Sequence, residues 1–138
     1  MRIHSYTFPY VRFHERHYPL IPITLSRGPH TVNTFALLDS GASISVFRPE
    51  LIKPLGLINE KHKPYRLGTA TGNVDIEVHR VTVTIEETKF KSKIGFSKKH
   101  VPSFNILGRE GFFTHFSVCF NEIMKTVILV PIDHASNK

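Results

Sequence analysis

The chain has 138 residues, 41% of them hydrophobic and 21% charged, with a formal net charge of +7. That suits one small globular domain with a real but limited core. A single cysteine, Cys119, excludes an internal disulfide framework and any cysteine-based zinc site.

Residues 1–17 are basic and aromatic, with Tyr6, Phe8, Tyr10 and Phe13 at or near alternate positions and Tyr18 just beyond. They read as an added strand or as an arm across a partner surface. Within them, His14-Glu15-Arg16-His17 misses the spacing of helical zinc ligands, which sit four apart to share a face, and reads as a solvated face. From Tyr18 the pattern is strand, turn, strand. Pro19 and Pro22 keep residues 19–25 extended, and residues 26–30 form a turn cluster around Gly28-Pro29. Residues 31–38 predict a second strand that runs directly into Asp39-Ser40-Gly41-Ala42-Ser43. A carboxylate at the end of a buried strand must be paired, hydrogen-bonded or protonated. Ser40 sets a hydroxyl beside it, and Gly41 permits a close backbone approach. Residues 44–47 are apolar again, and Pro49 opens a short helix predicted over 49–53.

The middle of the chain is β. Tyr65-Arg66-Leu67 leads into Gly68-Thr69-Ala70-Thr71-Gly72-Asn73, after which Val74, Ile76 and Val78 alternate with Asp75 and Glu77. A small-residue tip between two extended arms predicts a long mobile hairpin. Val81, Val83 and Ile85 predict a further strand, and Glu86-Glu87-Thr88 turns into the next. There Lys89, Lys91 and Lys93 alternate with Phe90, Ser92 and Ile94, ahead of Lys98, Lys99 and His100. We read these lysines as a solvated edge strand rather than a nucleic-acid site. From Val101, the run Phe104-Asn105-Ile106-Leu107-Gly108-Arg109 follows, with a short amphipathic helix predicted after Arg109. Residues 117–120 and 126–132 are the last β segments. Cys119, between Val118 and Phe120, reads as a core residue rather than a nucleophile.

Two of these stretches carry a resemblance. Leu37-Leu38-Asp39-Ser40-Gly41-Ala42 resembles the active-site signature of the aspartic proteases. Ile106-Leu107-Gly108-Arg109 resembles the second hallmark of their retroviral-type members, the retropepsins. The hallmarks occur in the family's order, with a strand pair before, a hairpin between and a terminal β segment after. The resemblance implies an all-β, closed-barrel acid-protease fold with one short C-terminal helix. It covers residues 18–132, between an N-terminal arm (1–17) and a polar tail (133–138).

The implied activity is that of an aspartic endopeptidase acting on extended polypeptides, with no cofactor and no metal. Asp39 is the implied catalytic acid/base. Ser40 would bond across a dimer axis, Gly41 would bring its N–H to the carboxylates, and Ala42 completes the signature. Gly108 and Arg109 would brace the loop that carries Asp39. Gly68, Thr69, Ala70, Thr71, Gly72 and Asn73 match the flap that closes over substrate. This chemistry needs two carboxylates around one water. Of the three aspartates, Asp75 lies in an alternating strand and Asp133 in the polar tail. The second carboxylate is therefore expected from a second copy of Asp39, in a homodimer with an isologous interface. Where viral members commonly place an acid that pairs with the arginine, this chain has Ser43 and Ile44. Arg109 then needs another acceptor, and less polar side-chain pockets are expected nearby.

Other readings stand beside this one. A retropepsin-like domain that dimerises or binds peptides without cleaving them fits the same motifs. Gly108-Arg109-Glu110-Gly111 matches a GXXG loop of the KH type, but Pro102 and Asn105 make a poor helix upstream and Glu110 would repel phosphates. Gly41-Ala42-Ser43-Ile44-Ser45 lacks the closing glycine of a serine-hydrolase nucleophile elbow. With no signal-peptide pattern and no apolar run of bilayer-spanning length, the expected location is cytoplasmic, with neither membrane nor nucleic acid as partner.

Overall fold

Period-two alternation carries most of the chain into strands, as the computed structural model shows for residues 4–62, 64–99 and 102–133. His100, Val101 and the tail beyond Asp133 lie outside the described residues. The N-terminal segment supplies β1 (Tyr6–Pro9) and a small hairpin of β2 (Val11–Phe13) and β3 (Arg16–Tyr18). His14 and Glu15 turn that hairpin at positive φ, 47° and 66°. β4 (Leu20–Arg27) and β5 (His30–Leu38) follow as an antiparallel pair in full register, from Leu20 opposite Leu37 to Arg27 opposite His30. The rest are β6 (Val46–Phe47), β7 (Pro64–Thr69), β8 (Gly72–Ile85), β9 (Thr88–Ser97), β10 (Asn105–Leu107), β11 (Phe116–Asn121) and β12 (Thr126–Pro131).

The main sheet runs β4-β5-β10-β6-β9-β8-β7, and β8 returns to pair with β4. This bends the sheet into a barrel, but the closed barrel expected from the sequence is uneven. The β4–β8 seam has three residue pairs, Thr24–Thr84, Leu25–Val83 and Ser26–Thr82. The β7–β8 hairpin extends beyond it. A second sheet, β1-β12-β11, contributes Phe8, Phe116, Val127 and Leu129, and Tyr10 just after β1 joins them, in the same core as Ile21, Leu25, Phe47, Val83, Ile94 and Phe96. The N-terminal segment is thus an added strand, tied down further by Tyr10, whose N–H donates to the Lys125 carbonyl (2.8 Å).

Several expectations need correction. The short helix predicted after Arg109 is a run of turns over residues 111–115. Gly111 adopts φ 87°, outside the helical region, and Phe116 already begins β11, so there is no room for helical propagation. At residues 49–53 the structure has a single 3₁₀ turn, Pro49–Leu51. Cys119 is exposed rather than in the core: Phe116 and Val118 take the inward register of β11, so the alternating position 119 faces out. Also, β8 is one strand of 14 residues where two were read. Lys89, Lys91 and Lys93 are all exposed as expected, but β9 is not an edge strand: it lies between β6 and β8, with Gly95 and Phe96 paired to β6. No helix among the described residues is long and apolar enough to cross a membrane.

Candidate active site

β5 ends at Leu38, and Asp39 begins the loop that leads to β6. Two strands hold that position. Asp39 N–H donates to the Leu107 carbonyl (3.1 Å), and β10 runs parallel to β5 with Leu107 opposite Leu38. The loop turns back at once, with Ala42 N–H donating to the Asp39 carbonyl (3.1 Å) and Gly41 N–H donating to Asp39 Oδ1 (2.9 Å). Asp39 is partly exposed and Ser40 and Gly41 are exposed, so the carboxylate keeps water on one side and a backbone donor on the other. This meets the cost of placing an acid at the end of a buried strand.

A second segment locks the loop from behind. Arg109 N–H donates to the Ala42 carbonyl (2.8 Å), Glu110 N–H to the Ser43 carbonyl (2.9 Å), and Gly108 N–H to Ser45 Oγ (3.0 Å). A Cβ on Gly108 would lie 2.4 Å from the Ile44 carbonyl oxygen and 3.0 Å from that of Ala42, so only glycine lets the two backbones meet. The Arg109 side chain is exposed and has no ion-pair partner among the described residues. Its backbone, not its guanidinium, touches the Asp39 loop.

Opposite the loop stands the β7–β8 hairpin, turned by Ala70 and Thr71, with Gly72 at φ 128°. Thr69 Oγ1 donates to the Gly72 carbonyl (2.6 Å), which stiffens the tip. Loop and hairpin enclose a groove of about 770 Å³. Gly41 and Ala42 line it from one side, and Gly68, Thr69, Thr71, Gly72 and Asn73 from the other. Asp39, Ser40, Ala70, Gly108 and Arg109 are not among its walls. The walls are largely apolar, with Ile44, Val46, Leu67, Val74, Ile76 and Ile106 contributing.

Sequence reasoning missed three residues that position this loop. Asn105 is buried and ties three strands together: its Nδ2 donates to the Phe35 carbonyl (2.9 Å) and Thr34 Oγ1 (3.1 Å), and its Oδ1 accepts from Arg48 N–H (2.9 Å). Arg48 reaches the Pro102 carbonyl (2.6 Å) and pairs with Glu50 (2.8 Å). Ser45 is buried and serves as the acceptor for Gly108. Asn105 did leave a signal, as a lone amide inside the apolar run from Phe104 to Leu107. A buried amide is retained only where it is hydrogen-bonded.

A family model described as aspartyl protease matches residues 22–110, which span β4 to β10 and leave the β1-β12-β11 sheet outside the match. No curated protein matches the chain.

Proposed function

The chain belongs to the retropepsin-like aspartyl protease family, and on that premise we propose that it is an aspartic endopeptidase whose active centre forms when two copies bring their Asp39 loops together across a twofold axis. The observation that carries this reading is the Asp39 loop itself. Its carboxylate is held by a backbone N–H at 2.9 Å, and its backbone is anchored by Gly108, Arg109 and Glu110. It faces a small-residue hairpin tip across the groove. Each chain offers one aspartate there. Asp75 is engaged elsewhere, paired with Arg66 (3.1 Å) across the exposed hairpin arms.

Two carboxylates brought that close cannot both ionise, so the pair shares one proton. The ionised member takes a proton from a bound water as its oxygen attacks the peptide carbonyl carbon. The protonated member gives its proton to the carbonyl oxygen, producing a tetrahedral diol. The proton taken from water then passes to the amide nitrogen, the C–N bond breaks, and an acid and an amine leave. Ser40 is exposed at the loop tip, and in this reading it bonds to its counterpart in the second copy. The hairpin acts as a flap that shields the diol from bulk water and bonds the substrate backbone. The apolar walls favour apolar side chains beside the scissile bond.

Cleavage of a mixed peptide library across about pH 3 to 8 by wild type and by Asp39→Asn tests the reading. Cleavage by wild type alone, with an acidic optimum and a rate per chain that rises with concentration, supports it. If neither protein cuts while both remain folded dimers, catalysis is refuted and a peptide-binding module takes its place.

A further inference from the structure

Glu77 and His79 lie in the core-facing register of β8, continuing the row of Val81, Val83 and Ile85, and they are only 6% and 2% exposed. A carboxylate and an imidazole on the core face of a strand are costly unless partnered. Partners come from the segment before the hairpin. His62 Nε2 lies 3.0 Å from Glu77 Oε2, and His79 Nε2 lies 3.3 Å from Glu77 Oε1. On the far side of the His79 ring, Glu60 Oε1 is 3.7 Å from Nδ1, and Arg27 holds that same oxygen at 2.8 Å. One donor atom from each of His62, Glu77 and His79 lies within 4.8 Å of the other two.

The His79 ring is frustrated in this setting. A neutral imidazole has one N–H and one lone pair. With the proton on Nε2 it serves Glu77 and turns a bare Nδ1 toward Glu60; with the proton on Nδ1 the mismatch moves to Glu77. Nδ1 of His79 is the one buried side-chain nitrogen or oxygen among the described residues with no hydrogen-bond partner. A cation on Nε2 resolves both ends at once. The lone pair and the Glu77 carboxylate then share the ion, and Nδ1–H turns to Glu60, as in carboxylate–histidine–metal arrangements.

We propose that His62, Glu77 and His79 bind one divalent transition-metal ion of the zinc class, with Glu60 orienting His79 from behind. Two imidazole nitrogens and one carboxylate oxygen suit zinc, and leave a fourth position for water. The 3.0 Å spacing runs from His62 to Glu77 Oε2 and the 3.3 Å spacing from His79 to Oε1, so the carboxylate bridges the two imidazoles, and a modest turn of it brings one oxygen beside both on a single ion. Lys98 Nζ, 3.3 Å from Glu77 Oε2, belongs to a side chain that is 65% exposed and free to swing out as the ion replaces its charge. His62 opens on a second groove of about 750 Å³, which gives the ion a route in. Pro64 pairs with Glu77 at the root of the β7–β8 hairpin, so the ion ties the approach to β7 onto β8. This inference stands on the cluster alone and does not depend on the protease reading.

The test is calorimetric titration of the chelator-stripped full chain with zinc at neutral pH, repeated with magnesium. Wild type is expected to bind one zinc per chain with a dissociation constant in the micromolar range or below, to gain thermal stability from it, and to ignore magnesium. Affinity falls as pH is lowered, because protons compete for the imidazoles. His62→Ala alters the accessible ligand, whose side chain is 33% exposed, and so leaves the fold intact. It should weaken binding at least tenfold, as should Glu77→Gln. Cobalt in place of zinc should give the intense visible absorption of a four-coordinate site in wild type and lose it in His62→Ala. No zinc binding by folded wild type, or affinity undiminished in His62→Ala, overturns the proposal. Asp39→Asn should bind zinc as wild type does, which separates this result from any failure of the protease reading.

Discussion

Replacing Gly108 by alanine tests the link between the second hallmark and the Asp39 loop. Gly108 does not have a positive φ, so the added methyl is excluded by sterics alone. Its Cβ would sit 2.4 Å from the Ile44 carbonyl oxygen, 2.5 Å from the Ile44 carbonyl carbon and 3.0 Å from the Ala42 carbonyl oxygen. All three are backbone atoms, which cannot rotate aside as a side chain would. The loop must retreat by roughly half an ångström or more, an overpacking cost of about 1–3 kcal/mol. The retreat also stretches the bonds from Gly108, Arg109 and Glu110 to that loop, each contributing about 0.5–1.5 kcal/mol. A total loss of about 2–4 kcal/mol is expected, lowering Tm by on the order of 10 °C. In protein that remains folded, displacement of Asp39 should cut kcat by at least about tenfold, since misplacement by an ångström costs about a hundredfold. Urea unfolding and peptide hydrolysis measure the two effects. Gly68→Ala is the control for stability: its Cβ meets only Asn73 Oδ1 at 3.8 Å, an ordinary contact. A Gly108→Ala protein as stable and active as wild type would refute the claim that this contact sets the Asp39 loop.

Asn105→Ala should cost about 1–3 kcal/mol in urea unfolding, because it strands the part-buried Phe35 carbonyl and Arg48 N–H. Arg109→Ala should change stability by less than about 0.5 kcal/mol, since the exposed side chain holds nothing among the described residues. A large loss there would show that the guanidinium has an acceptor. Burial, reinforced by its hydrogen bond to Glu122 (2.9 Å), pushes the Tyr10 hydroxyl up to about 12. The raised value favours the neutral phenol in the folded state, so its stabilisation is full below pH 10 and is lost as pH rises toward 12. A tyrosinate absorbance titration should show one late step that vanishes in Tyr10→Phe. The same hydrogen bond, and then Lys125, holds the Glu122 carboxyl below its ordinary value, so that contribution disappears instead as pH falls through the acid range.

The position of Asp39 was legible because the apolar run into it, the glycine after it and the Leu107-Gly108 pair are local signals. Residues 31–38 and 105–107 form the parallel pair that frames it, although no local pattern announces that two segments so distant in sequence will meet. The helix after Arg109 was misread because apolar spacing over Phe112, Phe113 and Phe116 imitates a helix face, while Gly111 and the bonds back to Gly108 and Phe112 enforce turns. β8 shows a subtler limit. Its apolar positions shift phase between Val78 and Val81, which reads as a break between two strands. Val74 and Ile76 line the groove, whereas Val81, Val83 and Ile85 face the core, so one unbroken strand serves both sides. That shift also hid Glu77 and His79, whose polar identity suggested solvent.

Because β8 runs unbroken from the hairpin tip at Gly72 to the seam with β4 at Thr82, Val83 and Thr84, the hairpin is built as a cantilever and not as a door. No glycine or proline interrupts residues 73–85 to serve as a hinge. Bending at the tip is spread along the strand and reaches a clamped end where Ile76 sits over Gly95, 2.4 Å from where a Cβ there would be. Amide exchange along β8 should therefore slow progressively from tip to seam, with no sharp step. A polypeptide that lifts the tip does elastic work on the barrel wall, and that work is returned when the hairpin springs back.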